Sequence, residues 1–519
     1  MMSATTSSDS SPSPSSRSAW RQSGWGLLVL LIVLESSAWR DAAALFKYPF
    51  AVGVDGYYYI LQIDALQNHG RFYFSTHTPL VLYALTVVSY FTGNSVLAVK
   101  ISSIALHLVL CLGIFAIIAS ATRSLWLGVL GSVLAVASGA HFYMIAEYVS
   151  NLGALAFLSW GGWCVIRAFQ TRSKLWIILS LACLVAASFS HRSAFAIALV
   201  IAVSAILVRS LITTELSGRR RRFAAAATVL FLWCAPAILA LQPFIQLPSW
   251  IDRELLIVPR IPISQAAVAE QIILLAISPA TLILILLDKV EVQSKIARIV
   301  FGSIALWSLL VTINPFLNNK GAMGFTWRLS TLAYLQVAIL VPGLIWLIFP
   351  LRHEASILIA AFVLPLLIGS ARYSRPYGMR PEYLAARAEL LRRLPFYRQQ
   401  LGQSPLVISP HGEQFIVTST LGIPSQQRWP DDDRYQPIYW LLHHIAPRFL
   451  TMPMVVLEKE PEGSYTLLAR DDIVQQQLQT LTDVERKRLF ADNPHLYEYL
   501  NQQTKTNESN HITSRPAIN

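Results

Sequence analysis

The sequence predicts a polytopic α-helical membrane protein of about eleven spans with a small α/β domain at its carboxyl end. Three observations predict it. Of 519 residues, 54% are hydrophobic and only 13% are charged, with mean hydropathy +0.49, whereas a soluble globular domain carries roughly 25% charged residues. Apolar runs approaching the ~20 residues that cross a bilayer recur through residues 24–370. Beyond residue 370 charge density rises and the pattern turns to mixed helix and strand.

Residues 1–23 form a disordered cytoplasmic tail, because SATTSSDSSPSPSSRS lacks apolar anchors. The following GWGLLVLLIVL has no convincing small-residue cleavage site, so it reads as a retained first span, with Arg17 and Arg21 holding the tail inside. The spans fall at 24–39, 96–119, 124–143, 148–167, 175–190, 193–210, 223–242, 269–287, 299–315, 329–349 and 355–370. The run 79–92 is short and is punctuated by Pro79 and by Gly93-Asn94, so it reads as a re-entrant or surface-lying helix on the outer side.

Charge placement supports that reading. With 79–92 not crossing, Arg123, Arg167, Arg172, Lys174, Arg209, Arg219 to Arg222, Lys289, Lys295, Arg298 and Arg352 all fall inside. Counting 79–92 as a span would place the four-arginine run outside. Residues 24–370 therefore make a multi-pass domain of the plasma or inner membrane, with a first extracytoplasmic loop at 40–95. The amino terminus is expected in the cytoplasm. Residues 371–519 make an extracytoplasmic α/β domain, in which RPEYLAARAELLRRL and DDIVQQQLQTLTDVERKRLF read as helices and PLVIS, PMVVL and SYTLLA as strands.

The net charge of +12 is explained by cytoplasmic span ends and gives nucleic-acid binding no support. Cys111, Cys164, Cys183 and Cys234 all sit in apolar segments without metal-ligand spacing and read as small core or lipid-facing residues.

This topology gathers ionisable groups at the outer face. The first loop offers Asp55, Asp64, His69, Arg71 and His77, in VDGYYYILQIDALQNHGRFYFSTHTPL. Lys100 opens the second span, His141 and Glu147 flank the next outer turn, and His191, Arg192, Lys320 and Arg328 follow. Convergence of charged groups at one depth suggests a shared polar cavity. Each residue also has a plainer role. Asp55 suits a helix cap, Glu147 an interfacial snorkelling acid, and Arg192 and Arg328 headgroup anchors. Tyr57 to Tyr59 suit an aromatic belt. In the helix after Asp55, Tyr58, Leu61 and Ala65 are expected toward apolar surroundings and Gln62 and Asn68 toward water.

The pattern resembles the GT-C superfamily of membrane glycosyltransferases, in the bacterial branch of protein-mannosyltransferase-like, aminoarabinose-transferase-like and RgtA-B-C-D-like enzymes. Four pieces carry the resemblance: VDGYYY in the first loop, Thr78-Pro79-Leu80 before a juxtamembrane helix, GNSVLAVKISSIALHLVL with Lys100 where the family has Arg, and the acid Glu147 after the third span. It covers residues 24–210 well and the later spans by layout. It implies transfer of a sugar from a polyprenyl-phosphate donor to a lipid, glycan or protein acceptor outside the cytoplasm. Asp55 and Glu147 would be the catalytic acids. Lys100, Arg192 and Arg328 are candidates for the donor phosphate, and Tyr58, His77, His141 and His191 for the substrate cavity. Gly56 stands where many members carry a second acid, which weakens a first-loop metal site. No cofactor is assigned, and a divalent metal between Asp55, Glu147 and a nearby histidine stays open without support from spacing. Displacing a lipid phosphate needs one base for the acceptor proton and positive charge for the leaving group.

Other classes compete. A transporter or flippase would want ionisable groups near the bilayer centre, where His107 is the main candidate. A ligand-sensing membrane protein would leave Asp55 incidental, and a polymerase or ligase type would rely on outer-loop arginines.

Overall fold

The computed structural model describes residues 14–73, 79–213, 267–286, 295–313, 331–349, 353–371, 376–401, 405–426, 437–446, 455–459 and 463–497. The expected span at 223–242, and His77, Lys320 and Arg328, lie outside these. In chain order the helices are α1 (Pro14–Leu45), α2 (Gly56–His69), α3 (Leu80–Thr92), α4 (Ser95–Thr122), α5 (Leu125–Ala137), α6 (His141–Ala146), α7 (Val149–Thr171), α8 (Lys174–Ser190) and α9 (Arg192–Thr213). Then follow α10 (Val268–Leu286), α11 (Lys295–Trp307) with a π-helical turn over Ser308–Thr312, α12 (Ala333–Ile348) and α13 (His353–Ala371). The carboxyl-terminal part contains α14 (Pro381–Tyr397), β1 (Leu406–Ile408), α15 (Glu413–Leu421), β2 (Ser425–Gln426), β3 (Ile438–Ile445), β4 (Val455–Lys459), β5 (Tyr465–Arg470), α16 (Asp471–Thr480) and α17 (Asp483–Asp492).

Two compact units emerge. The first comprises Met1–Lys47, Thr78–Val81 and Lys100–Pro376. Among the described residues, five helical segments are long and apolar enough to cross a membrane: Ser95–Thr122, Val149–Thr171, Ala194–Ile212, Val268–Leu286 and Lys295–Thr312. Shorter apolar helices accompany them, including α5, α8 and α12. The chain is thus a polytopic helical membrane protein. α12 is buried along nearly its whole length, Ala333 to Leu347, which marks it as the centre of its bundle. Polar side chains link the helices around it: Gln336 donates to Thr312 Oγ1 at 2.7 Å and Gln271 to the Thr312 carbonyl at 3.3 Å. Such pairs hold apolar helices in register where hydrophobicity alone gives no preference.

The span expected at 124–143 is shorter than its apolar run. Helix α5 stops at Ala137 because Ser138 takes extended backbone. The Ser138 hydroxyl donates to the Glu270 carboxylate and accepts the Ala140 N–H at 3.1 Å. Ser138 thereby diverts the chain into the separate short helix α6.

The second unit comprises Tyr48–His77, Leu82–Val99 and Tyr377–Asn519, so most of the first loop belongs with the carboxyl-terminal residues. Its five-stranded sheet has the order β2-β1-β3-β5-β4, with β1 parallel to β2 and β3, and β5 antiparallel to β3 and β4. Alternate residues form one core face: Leu406 and Ile408, Ile438, Trp440 and Leu442, Leu467 and Ala469, covered by Val474 and Leu478 of α16. The expected strands at 406, 455 and 465 are present, together with the unexpected central strand β3. The single helix expected over 471–490 is two, because Thr482 starts α17 with a capping box to Glu485.

Candidate functional site

The geometry around Asp55 is built from the second unit. Asp55 stands at the N-cap position of α2, where a carboxylate would ordinarily accept a backbone N–H, yet its side chain makes no cap hydrogen bond. Its Oδ1 instead lies 3.0 Å from Nε2 of His411. The side chains are 21% and 34% exposed, so the pair is reachable from solvent. Oδ1 is itself shielded and lacks an aligned hydrogen bond. Contacts of this kind commonly tighten only when substrate is bound.

The strand leading to Asp55 is clamped. Arg387 of α14 is 3% exposed and donates to the carbonyls of Ala51 at 3.1 Å and Gly53 at 2.5 Å. Its other terminal nitrogen donates to the Tyr383 hydroxyl at 2.5 Å, and its guanidinium lies 4.6 Å from the Tyr383 ring and 5.9 Å from the Tyr57 ring. The planar fork sets one terminal nitrogen on both carbonyls and the other on the Tyr383 hydroxyl, a spread that a single ammonium nitrogen does not cover in fixed geometry. Burial pushes the Tyr57 phenol up to about 12 and the Arg387 charge works against that, so Tyr57 stays neutral. Gly53 donates its N–H to the Gly378 carbonyl at 3.2 Å. A Cβ on Gly378 would come 2.5 Å from Val54 N, and one on Gly412 (φ +90°) 2.4 Å from Val54 Cγ1. Both positions therefore require glycine for the backbones to meet.

His411 lies in the loop between β1 and α15, at the carboxyl end of a parallel strand. The chain leaves β1 toward β2 on one side of the sheet and leaves β3 toward β5 and β4 on the other. In open α/β sheets such a reversal opens a crevice at the strand ends. β3 runs past its pairing with β1 and carries a bulge between Leu442 and Ile445, with His444 at φ +56°. Bulges re-aim side chains. Here His443 Nε2 meets Glu413 Oε2 at 2.6 Å, and its Nδ1 meets Thr466 Oγ1 at 2.8 Å.

The other expected site residues fall variously. Tyr58 is half-buried, 5.3 Å from the rings of Tyr59 and Phe415. Gln62, expected toward water, is fully buried and accepts the Tyr73 N–H at 3.0 Å, satisfying the returning backbone. Lys100, His141, Glu147 and His191 belong to the first unit. Lys100 is buried, 5.3 Å from the Phe46 ring. Glu147 is buried at the end of α6, and His191 closes α8. Arg192 opens α9, with its side chain outside the described residues.

His141 belongs to a network that the sequence reading missed. Asp41 is fully buried, with Oδ1 3.0 Å from His141 Nε2 and Oδ2 3.0 Å from His107 Nδ1. The imidazoles stack at 4.9 Å, and Arg40 reaches His141 Nε2 at 2.8 Å and the Val136 carbonyl at 2.6 Å. The signal was the Arg40-Asp41 pair at the end of the first apolar run, which reads equally well as a solvated span end.

Among the described residues no three His, Cys, Asp or Glu side chains are arranged to hold a metal ion. Among the described residues, no third His, Cys, Asp or Glu side chain joins Asp55 and His411 as such a set.

No family model matches the chain, and no curated protein matches it. Several solved structures align with it, two of them as follows. One is the Archaeoglobus fulgidus oligosaccharyltransferase in complex with Zn and sulfate, at 10% identity over 76% of this chain and 62% of that one, with TM-score 0.48. This chain therefore spans only part of the archaeal protein's length. The other is ArnT from Cupriavidus metallidurans in the apo state, at 14% identity over 86% of this chain and 98% of that one, with TM-score 0.48.

Proposed function

We propose that this protein is a membrane glycosyltransferase that moves a sugar from a polyprenyl-phosphate donor to an acceptor on the extracytoplasmic side. Asp55 is the base. The observation that carries the reading is that the Asp55 carboxylate, at a position suited to capping α2, makes no cap hydrogen bond and stays 21% exposed.

In the step, the Asp55 carboxylate takes the acceptor proton as the acceptor atom bonds to the anomeric carbon. The bond from that carbon to the phosphate oxygen breaks, and the lipid phosphate leaves with the electron pair. A single displacement inverts the anomeric centre. The leaving phosphate carries its charge away unprotonated and needs cations. Lys100, Arg192 and Arg328 are the candidate cations, from their expected place at the outer face, and Glu147 is the helper acid.

A transporter reading is favoured by the buried Asp41, His107 and His141 network, since ionisable groups inside spans often mark translocation paths. The experiment that separates the two is sugar release from a panel of polyprenyl-phosphate-linked hexose and pentose donors by purified protein in detergent. Turnover by the wild type that vanishes in Asp55→Asn supports the transferase. Absence of wild-type turnover on every donor, with movement of a lipid-linked donor across vesicles containing the protein, supports the transporter.

A further inference from the structure

We propose that His411 is the positioning residue of the Asp55 base, so that the carboxyl-terminal α/β domain supplies half of the group that activates the acceptor. The inference rests on the reading of Asp55 as base.

Three features of the second unit point to it. The first is selectivity of pairing. His411 is only two residues from Glu413, but Glu413 is directed to His443, at 2.6 Å. His411 instead meets an acid of the first loop, at 3.0 Å. The second is preorganisation of both partners by the same backbone contact. Val54 precedes Asp55 and Gly412 follows His411, and these two neighbours touch so closely that a Cβ on Gly412 would sit 2.9 Å from the Val54 carbonyl oxygen. Arg387 fixes the loop one residue further back, through Gly53. The third is which oxygen is met. His411 Nε2 lies 3.0 Å from the shielded Oδ1, a contact without an aligned hydrogen bond that a small turn of the ring converts into one restraining the carboxylate. Holding a base in its productive geometry is a recognised source of rate.

Packing gives His411 a competing role, since its ring lies 5.9 Å from that of Phe415. The two roles predict opposite substitution patterns. A donor to Oδ1 is replaced by glutamine, whose amide N–H reaches as far as Nε2. A packing ring is replaced better by leucine.

The test compares wild type, His411→Gln, His411→Leu and Asp55→Asn at matched amounts of monodisperse protein, on the polyprenyl-phosphate-sugar donor that the wild type turns over fastest. The expected result is that His411→Leu lowers kcat by about 100-fold with KM for the donor nearly unchanged, while His411→Gln stays within about tenfold of wild type. Leucine matching wild type while Asp55→Asn is inactive overturns the role of His411 and leaves the base intact. Asp55→Asn matching wild type overturns the base reading itself, and wild type inactive on every donor overturns both.

Discussion

Arg387 donates to the carbonyl of Gly53 at 2.5 Å, and so a residue of the carboxyl-terminal domain sets the backbone two residues before Asp55. The carboxyl-terminal domain is therefore part of the architecture around Asp55. Substituting Arg387 by Met leaves the Ala51 carbonyl without its buried donor and the Gly53 carbonyl with only the Gly56 N–H, at 3.3 Å. An orphaned acceptor costs about 1–3 kcal/mol. The expected outcome is a lower thermal midpoint together with a fall in sugar-transfer kcat. Arg387→Lys, which keeps the charge but not the fork, should recover only part of either. Wild-type stability and turnover in both variants would remove the clamp from the account.

The glycine contact predicts a contrast between two alanine substitutions. Gly378→Ala drives a Cβ into Val54 N and Gly53 C, at 2.5 and 2.7 Å, where backbone must shift. Gly422→Ala meets nothing within 4 Å and bears only the left-handed backbone cost at φ +65°. Overpacking of the first kind costs roughly 1–3 kcal/mol and displaces the Asp55 loop, whereas the second costs about 1–2 kcal/mol without touching the site. Turnover per folded molecule separates them: it falls in Gly378→Ala and stays near wild type in Gly422→Ala.

Asp41 predicts a stability effect. Its carboxylate is fully buried and bridges His107 and His141 at 3.0 Å each. Removing one partner of such a buried set typically costs about 3–5 kcal/mol. Asp41→Ala should lower the thermal midpoint in detergent markedly, as read by tryptophan fluorescence. An unchanged midpoint would show that the network contributes nothing to the fold.

His495 predicts a pH dependence. It is buried, and its Nε2 N–H donates to the Leu441 carbonyl at 2.9 Å while Nδ1 has no hydrogen-bond partner among the described residues. Burial pushes its pKa down to about 4 from an ordinary 6.5. Between these values the unfolded chain binds the extra proton, so stability is full above pH 6.5 and declines as pH falls toward 4. At ~1.4 kcal/mol per pKa unit the loss amounts to about 3 kcal/mol. Hydrogen exchange of the β3 amides should accelerate over that window in wild type and much less in His495→Gln.

Much of the helical framework was legible because apolar runs of bilayer length leave few alternatives. The places where reading failed are those set by distant partners. The 124–143 run is apolar throughout, but Glu270 captures Ser138 and ends the helix early. Gln62 looked solvent-facing because polarity is visible in sequence and the waiting Tyr73 N–H is not. The central strand β3 opens on IYWLL, an apolar run buried on both faces, so that part lacks the alternation that marks a half-buried strand. Asp55 was visible through its neighbours, VDGYYY, whereas His411 sits in SPHGEQ with nothing local to single it out. Only the fold brings the two together.

The central claim is that Asp55 is the base. The most direct measurement is the rate of sugar release from polyprenyl-phosphate donors by wild type and by Asp55→Asn, which keeps the shape of the side chain and removes its basicity. The account predicts a fall in kcat of at least about 100-fold with folded yield and donor binding unchanged. Equal rates in the two proteins would contradict it.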